Sequence, residues 1–186
     1  YTIWLRHLSI LYKNGFTKIP NTIAELGPGD SIGTGLAGLL SGSKKFYALD
    51  VVEHTDIKKN ISVFDELVTL FANHSALPDD NEFPRVLPRL TSYNFPSEIF
   101  ADNNLENFLD KSRIQSLRNE LVDIKKQKNS IKYMCPWNDP KIIESDSVDV
   151  VFSQAVLEHV EDINHTYDAM YRWVKKGGYI SNEIDF

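Results

Sequence analysis

Residues 21–40 read NTIAELGPGDSIGTGLAGLL, and the fold turns on this stretch. A short apolar run, Ile23, Ala24 and Leu26, ends in Gly27-Pro28-Gly29. Asp30 and Ser31 then offer side chains able to cap a helix, and Ile32, Leu36, Leu39 and Leu40 follow at helical spacing. Strand, glycine turn and helix in that order open a nucleotide-binding α/β domain. Lacking a Cβ, Gly27 permits a tight turn and Gly29 lets the backbone approach a ligand closely.

The residues around the turn select the ligand. A dinucleotide fingerprint runs Gly-x-Gly-x-x-Gly, but here Ile32 occupies the third glycine's place and Gly33 comes one residue late. Pro28 removes one backbone N–H from a loop that would cradle a phosphate. Glu25, two residues before Gly27, is expected at the carboxyl end of the strand, facing the ligand crevice. A carboxylate there repels a pyrophosphate and attracts a cation. S-adenosylmethionine (SAM) brings an ammonium and a sulfonium, so the charge logic favours SAM over NAD.

Bulk properties narrow the field. The 186 residues suit one domain with a sizeable core. A formal net charge of -6 weighs against nucleic acid and anionic membranes as partners. Cys135 is the single cysteine, so the chain forms no internal disulfide and no cysteine-rich metal cluster, which points to a reducing cytoplasm. No apolar run approaches the length of a membrane-spanning helix. The chain starts with Tyr1 rather than Met and stops just after an expected strand, which reads as part of a longer protein.

Taken in order, Ile3, Trp4, Leu5, Leu8, Leu11 and Tyr12 predict a helix over 2–14, with Gly15 at its end. His7 on that helix reads as a surface or interface histidine. Residues 46–52, FYALDVV, read as a second strand ending in Asp50, about 20 residues after Gly29. An acid there can accept hydrogen bonds from both ribose hydroxyls of an adenosine, or simply cap the next turn.

From residue 53 to 130 the alternation of strand and helix stops. Amphipathic segments and a stretch broken by Pro78, Pro84, Pro88 and Pro96 are far longer than a crossover needs. Residues 60–130 therefore form a helical insertion between the second and third strands. Leaving from a carboxyl strand end, it is placed to cap the site; a helical decoration or dimerisation element is the alternative. The charges from Lys111 to Lys128 read as a solvated face.

Ile131 to Met134 predicts a third strand running into Cys135-Pro136-Trp137-Asn138. Trp137 either stacks on an adenine or plugs the core, Asn138 can read the ring edge, and Cys135 reads as a small buried hydrophobe. The β-branched run of residues 147–153, SVDVVFS, is what a strand covered on both faces shows. A helix is expected from Gln154, resuming after a turn at Glu161-Asp162 and ending at Gly177-Gly178. Tyr179 to Ile184 reads as the last strand.

Four segments, ELGPG, FYALDVV, SVDVVFSQAVLEHVED and WVKKGGYI, together resemble the signature segments of class I SAM-dependent methyltransferases. The resemblance implies an α/β, Rossmann-like, doubly wound and mostly parallel sheet of order 3-2-1-4-5. It implies SAM as cofactor and S-adenosylhomocysteine as product. By residue it implies Glu25, Gly27, Pro28 and Gly29 around the methionine part and Asp50 with Val51 at the ribose. It also places Cys135, Trp137 and Asn138 near the adenine, and Ser153 and Gln154 under the methyl group. Lys176 stands where the family usually has proline. The two strands that usually close the sheet are missing, so a free edge is expected to pair with a second molecule or be covered by loops.

Methyl transfer from a sulfonium is an in-line displacement, so positioning and dryness matter most, and a base is needed only for a protonated acceptor. His159 and His54 are candidates for it, with Glu158 and His159 as solvated or structural residues the alternative; the catalytic residues stay open. Three functions compete: SAM-dependent methylation of an O or N atom on a small-molecule or sugar acceptor, a nicotinamide-dependent oxidoreductase, and a SAM-binding module without catalysis. Glu25, Pro28 and the glycine spacing count against the second.

Overall fold

The computed structural model describes residues 1–101, 105–126 and 130–185. Lys128, at the end of the charged stretch, lies outside the described residues, as do 102–104, 127, 129 and 186. The elements run α1 (Thr2–Lys13), β1 (Thr22–Leu26), α2 (Gly33–Leu40), β2 (Lys45–Leu49), α3 (Ile57–Ala72), α4 (Leu105–Phe108), α5 (Lys111–Val122), β3 (Ile131–Met134), β4 (Val148–Gln154), α6 (Ile163–Trp173) and β5 (Val174–Glu183). All four strand pairings are parallel and the order is β3-β2-β1-β4-β5, as expected for an α/β doubly wound sheet.

Both faces of the sheet are buried, and the strands show why. In β4, Val150 and Phe152 enter the core on one face, shared with Trp4, Leu5, Ile23, Phe46 and Phe64. Val151, between them, enters the other, shared with Leu26, Leu49, Trp137, Met170 and Trp173. Successive side chains of a strand point to opposite faces, so a near-continuous apolar run is the sequence a two-sided core demands. α2 lies very close to the sheet. A Cβ at Gly35 would sit 1.9 Å from Cζ of Phe46, so only glycine fits.

Several local expectations are corrected. α2 begins at Gly33 with Ile32 as its cap residue, and Asp30 instead pairs with Lys59 of α3. Ile32 donates its N–H to Oδ1 of the buried Asn60, so α3 holds the start of α2. Gln154 ends β4 rather than starting a helix; only a single 3₁₀ turn, Leu157–His159, precedes α6. α6 is capped by the Asp162 side chain on the His165 N–H and stops at Trp173, not at Gly177-Gly178. The glycines lie inside β5, where a register shift opposite Val148–Val150 absorbs extra residues. A Cβ at Gly178 would come within 2.7 Å of the Asp149 carbonyl, so glycine lets the strand close up there.

The insertion divides into two parts. α5 packs beside α3, and Arg113 donates from Nη2 to the carbonyls of Leu39 and Ser43, each at 2.9 Å. Those carbonyls lie at the carboxyl end of α2 and just before β2, so Arg113 is a half-buried pin rather than part of a solvated face. Glu120 accepts the N–H groups of Ser130 and Ile131, fixing the start of β3. The earlier part, residues 77–100, runs along α1. Leu77, Phe95, Ile99 and Phe100 join the core, while most of residues 81–92 are exposed.

Candidate functional site

β1, β2, β3 and β4 end side by side, and the loops that leave them meet at one end of the sheet. Gly27 (φ +61°) and Gly29 (φ +67°) both take the left-handed conformation that favours glycine. Around Gly27 space is short: a Cβ there would meet Val156 Cγ2 at 2.7 Å. Around Gly29 a Cβ would meet nothing within 4 Å, so this is the open side of the turn. The turn is anchored sideways, because the Gly27 N–H donates to the Leu49 carbonyl at 2.8 Å.

Asp50 connects three of the loops. Its Oδ2 accepts the Gly29 N–H at 3.2 Å, its Oδ1 accepts the Val51 N–H at 2.9 Å, and its backbone carbonyl accepts the Trp137 N–H at 3.0 Å. The carboxylate thus holds the glycine turn from the neighbouring strand. Val51, beside it, is 64% exposed, an apolar side chain left open at the strand end. Pro28 is half-buried in the turn.

Glu25 is turned away from the open crevice expected for it. It is buried, and its Oε2 accepts the Gly35 N–H at 3.2 Å in the first turn of α2. Burial pushes its carboxyl up to about 8; the hydrogen bonds from Gly35 and Thr34 pull the other way, and nearby Asp50 adds to the rise. Glu25 therefore ties β1 to α2 behind the glycine turn.

Of the loop after β3, Asn138 is exposed and Cys135 half-buried, its thiol pushed up by burial and by Asp50. Trp137 resolves to the core: it is 8% exposed and packs edge-on against Trp173 at 5.5 Å. Its indole joins the core cluster that holds Leu49, Met170 and Trp173. At the end of β4, Ser153 is fully buried and donates to Oδ1 of Asn182 at 2.8 Å. Gln154 keeps a buried Oε1 without a partner. His54 and His159 are both exposed on the loops after β2 and β4, and Glu158 buries one carboxylate oxygen without a partner. Among the described residues no three His, Cys, Asp or Glu side chains gather as metal ligands, and no helix is long and apolar enough to cross a membrane.

Sequence reasoning missed Asn60 and Val156. His7, read as a surface or interface histidine, is 4% exposed, with Nδ1 2.7 Å from Ser181 Oγ, and so does not lie on the surface. Its spacing from Trp4 and Leu11, three and four residues away, puts it on their helix face, and that signal was available.

A family model described as a methyltransferase domain matches residues 106–181, less than half of the chain and beyond the glycine turn. Among solved structures, a candidate S-adenosyl-L-methionine-dependent methyltransferase of Methanococcus maripaludis is 12% identical. It aligns over 97% of this chain and 56% of its own, with a TM-score of 0.45. The YcgJ protein of Bacillus subtilis is 10% identical over 94% of this chain and 48% of its own, with a TM-score of 0.44. The chain thus spans about half the length of the structures it resembles. No curated protein matches it. Residues 106–181 are thus similar to a methyltransferase domain, and the sheet they help to build has the 3-2-1-4-5 parallel order of an α/β doubly wound fold.

Proposed function

We propose that this domain binds SAM across the ends of β1, β2, β3 and β4 and transfers its methyl group to an O or N atom of a small-molecule or sugar acceptor. The observation that carries the reading is the Gly27–Gly29 turn, open at Gly29 and held by the Asp50 carboxylate. The residues fit the cofactor. The turn leaves room for the methionine part, Asp50 retains acceptor capacity for ribose hydroxyls, and Val51 and Asn138 offer apolar and polar contacts for an adenine. Gln154, with its unused oxygen, is assigned the space beside the methyl group.

When bound, SAM supplies a methyl group activated by the sulfonium charge. The chain's share is to hold the acceptor in line with that methyl group and keep water out. Calorimetry with SAM, S-adenosylhomocysteine and NAD tests the cofactor: both sulfur compounds should bind and NAD should not. Tighter binding of NAD would overturn the reading. Turnover of SAM to S-adenosylhomocysteine with candidate acceptors separates an enzyme from a binding module.

A further inference from the structure

A second cavity, of about 890 Å³, opens between α1, the 85–88 segment and the carboxyl end of β5. Its size is that of small-molecule sites. From α1 and the insertion come Arg6, His7 and Arg85; from β5 and the residue pair after it come Asn182, Glu183 and Asp185.

The cavity lies beside the cofactor crevice. Asn182 pairs with Ser153, and Ser153 with Leu26, the residue before Gly27. Two strand spacings, roughly 10 Å, separate the two positions across the sheet. A molecule in the cavity is therefore a neighbour of one held at the glycine turn.

Two buried side chains here, Arg6 and His7, each keep a buried nitrogen without a partner. Arg6 is 7% exposed and donates from Nη2 to the Pro88 carbonyl at 2.8 Å, yet its Nε has no partner. His7 has one ring nitrogen on Ser181 and its buried Nε2 unpartnered. A buried guanidinium is costly unless an anion or several acceptors answer it, and no carboxylate pairs with Arg6 among the described residues. Arg85 adds a second, exposed guanidinium at the same cavity. Planar guanidinium groups suit carboxylate and phosphate oxygens.

We propose that this cavity is the methyl-acceptor site and that the acceptor carries a carboxylate or phosphate group. Arg6 and Arg85 hold the anionic group, and the hydroxyl or amine to be methylated lies toward Asn182 and Glu183, at the β5 end nearest the crevice. The lone pair of that oxygen or nitrogen forms the new bond to the methyl carbon. The carbon–sulfur bond pair passes to sulfur, which becomes a neutral thioether, and the nucleophile's proton goes to water. The proposal rests on the SAM reading above.

The test titrates protein loaded with S-adenosylhomocysteine with matched probes: 4-hydroxybenzoate against its methyl ester, and glucose 6-phosphate against glucose. At least one anionic probe should bind about tenfold or more tightly than its neutral partner, the size of one charge-assisted hydrogen bond. Arg85→Ala, at an exposed position, should remove that preference while leaving S-adenosylhomocysteine affinity unchanged. No anionic preference in either pair, or a preference that survives Arg85→Ala, overturns the proposal. Wild-type protein that takes up no S-adenosylhomocysteine overturns the cofactor reading beneath it instead.

Discussion

Asp50 and Glu25 stand on neighbouring strands, yet their surroundings assign them different work. Asp50 accepts backbone N–H groups from the turn and from its own loop. Asp50→Ala should weaken SAM binding by about 1.5–3 kcal/mol, the range for a hydrogen bond to a charged group. Calorimetry checks this, and unchanged affinity would make Asp50 only a turn residue. Glu25 and His7 give opposite pH dependences. Glu25 is raised from 4.5 to about 8, mainly by burial, so the folded state keeps a proton the unfolded chain gives up. Its contribution to stability is complete below pH 4.5 and is lost as pH rises to about 8. His7 is lowered from 6.5 to about 4 by burial and by Arg6. Its neutral form contributes stability above pH 6.5, lost as pH falls toward 4. Between 4.5 and 6.5 the two oppose each other, and above 6.5 the Tyr1 amino group, lowered from 8.0 to about 6 by burial, opposes Glu25 in turn, since its stability contribution grows as pH rises to 8. Melting temperatures of the wild type should therefore change little across pH 6.5–8, and those of Glu25→Gln should rise there. A variant as level as the wild type would take Glu25 out of the balance.

Among the elements, α2 depends most on its neighbours, because it carries no side-chain cap of its own. Asn60 holds its first turn, Gly35 allows it onto the sheet, and Arg113 holds the Leu39 carbonyl in its last turn. Gly35→Ala should be destabilising by about 1–3 kcal/mol through overpacking on Phe46, although alanine is the better helix former by about 1 kcal/mol. Chemical denaturation measures the difference, and a more stable variant would mean that Phe46 moves aside freely. Arg113→Ala should cost about 1.5–3 kcal/mol, since it removes the charged donor from the Ser43 carbonyl and leaves the Leu39 carbonyl with the longer 3.2 Å bond from the Gly42 N–H. Arg113→Lys should recover little of this, because both bonds leave Nη2, and a lysine side chain is one bond shorter and lacks the planar group that aims it. Full recovery with lysine would show that charge alone is needed.

At the scale of the molecule, the insertion is both scaffold and wall. Leu77 donates its N–H to the Tyr93 carbonyl at 2.7 Å, so residues 78–92 form a loop with joined ends. Replacing them by a short Gly-Ser link should leave the core residues Leu77, Phe95, Ile99 and Phe100 in place. Such a variant should bind SAM as the wild type does and lose methyl transfer, measured by product formation; retained transfer would deny the loop a role at the acceptor. A larger deletion, residues 73–109, would strip out part of the core, Leu77, Phe95, Ile99, Phe100 and Leu105 among it. Much of the plan was legible beforehand. The strand, turn and helix at 21–40, the acid ending the second strand and the β-branched fourth strand are local patterns, and backbone sterics and burial on two faces leave them few alternatives. Hence the parallel sheet and the glycines of its first turn follow from the chain read in one dimension, while the order 3-2-1-4-5 was implied by the resemblance of four segments to a family. What one dimension cannot carry is which way a polar side chain turns when two partners compete for it. Glu25 chose the start of α2, Trp137 chose Trp173, and His7 chose Ser181, 174 residues away. Those choices depend on neighbours brought together only by packing, whose cavities and unpaired donors do not exist until the chain has folded.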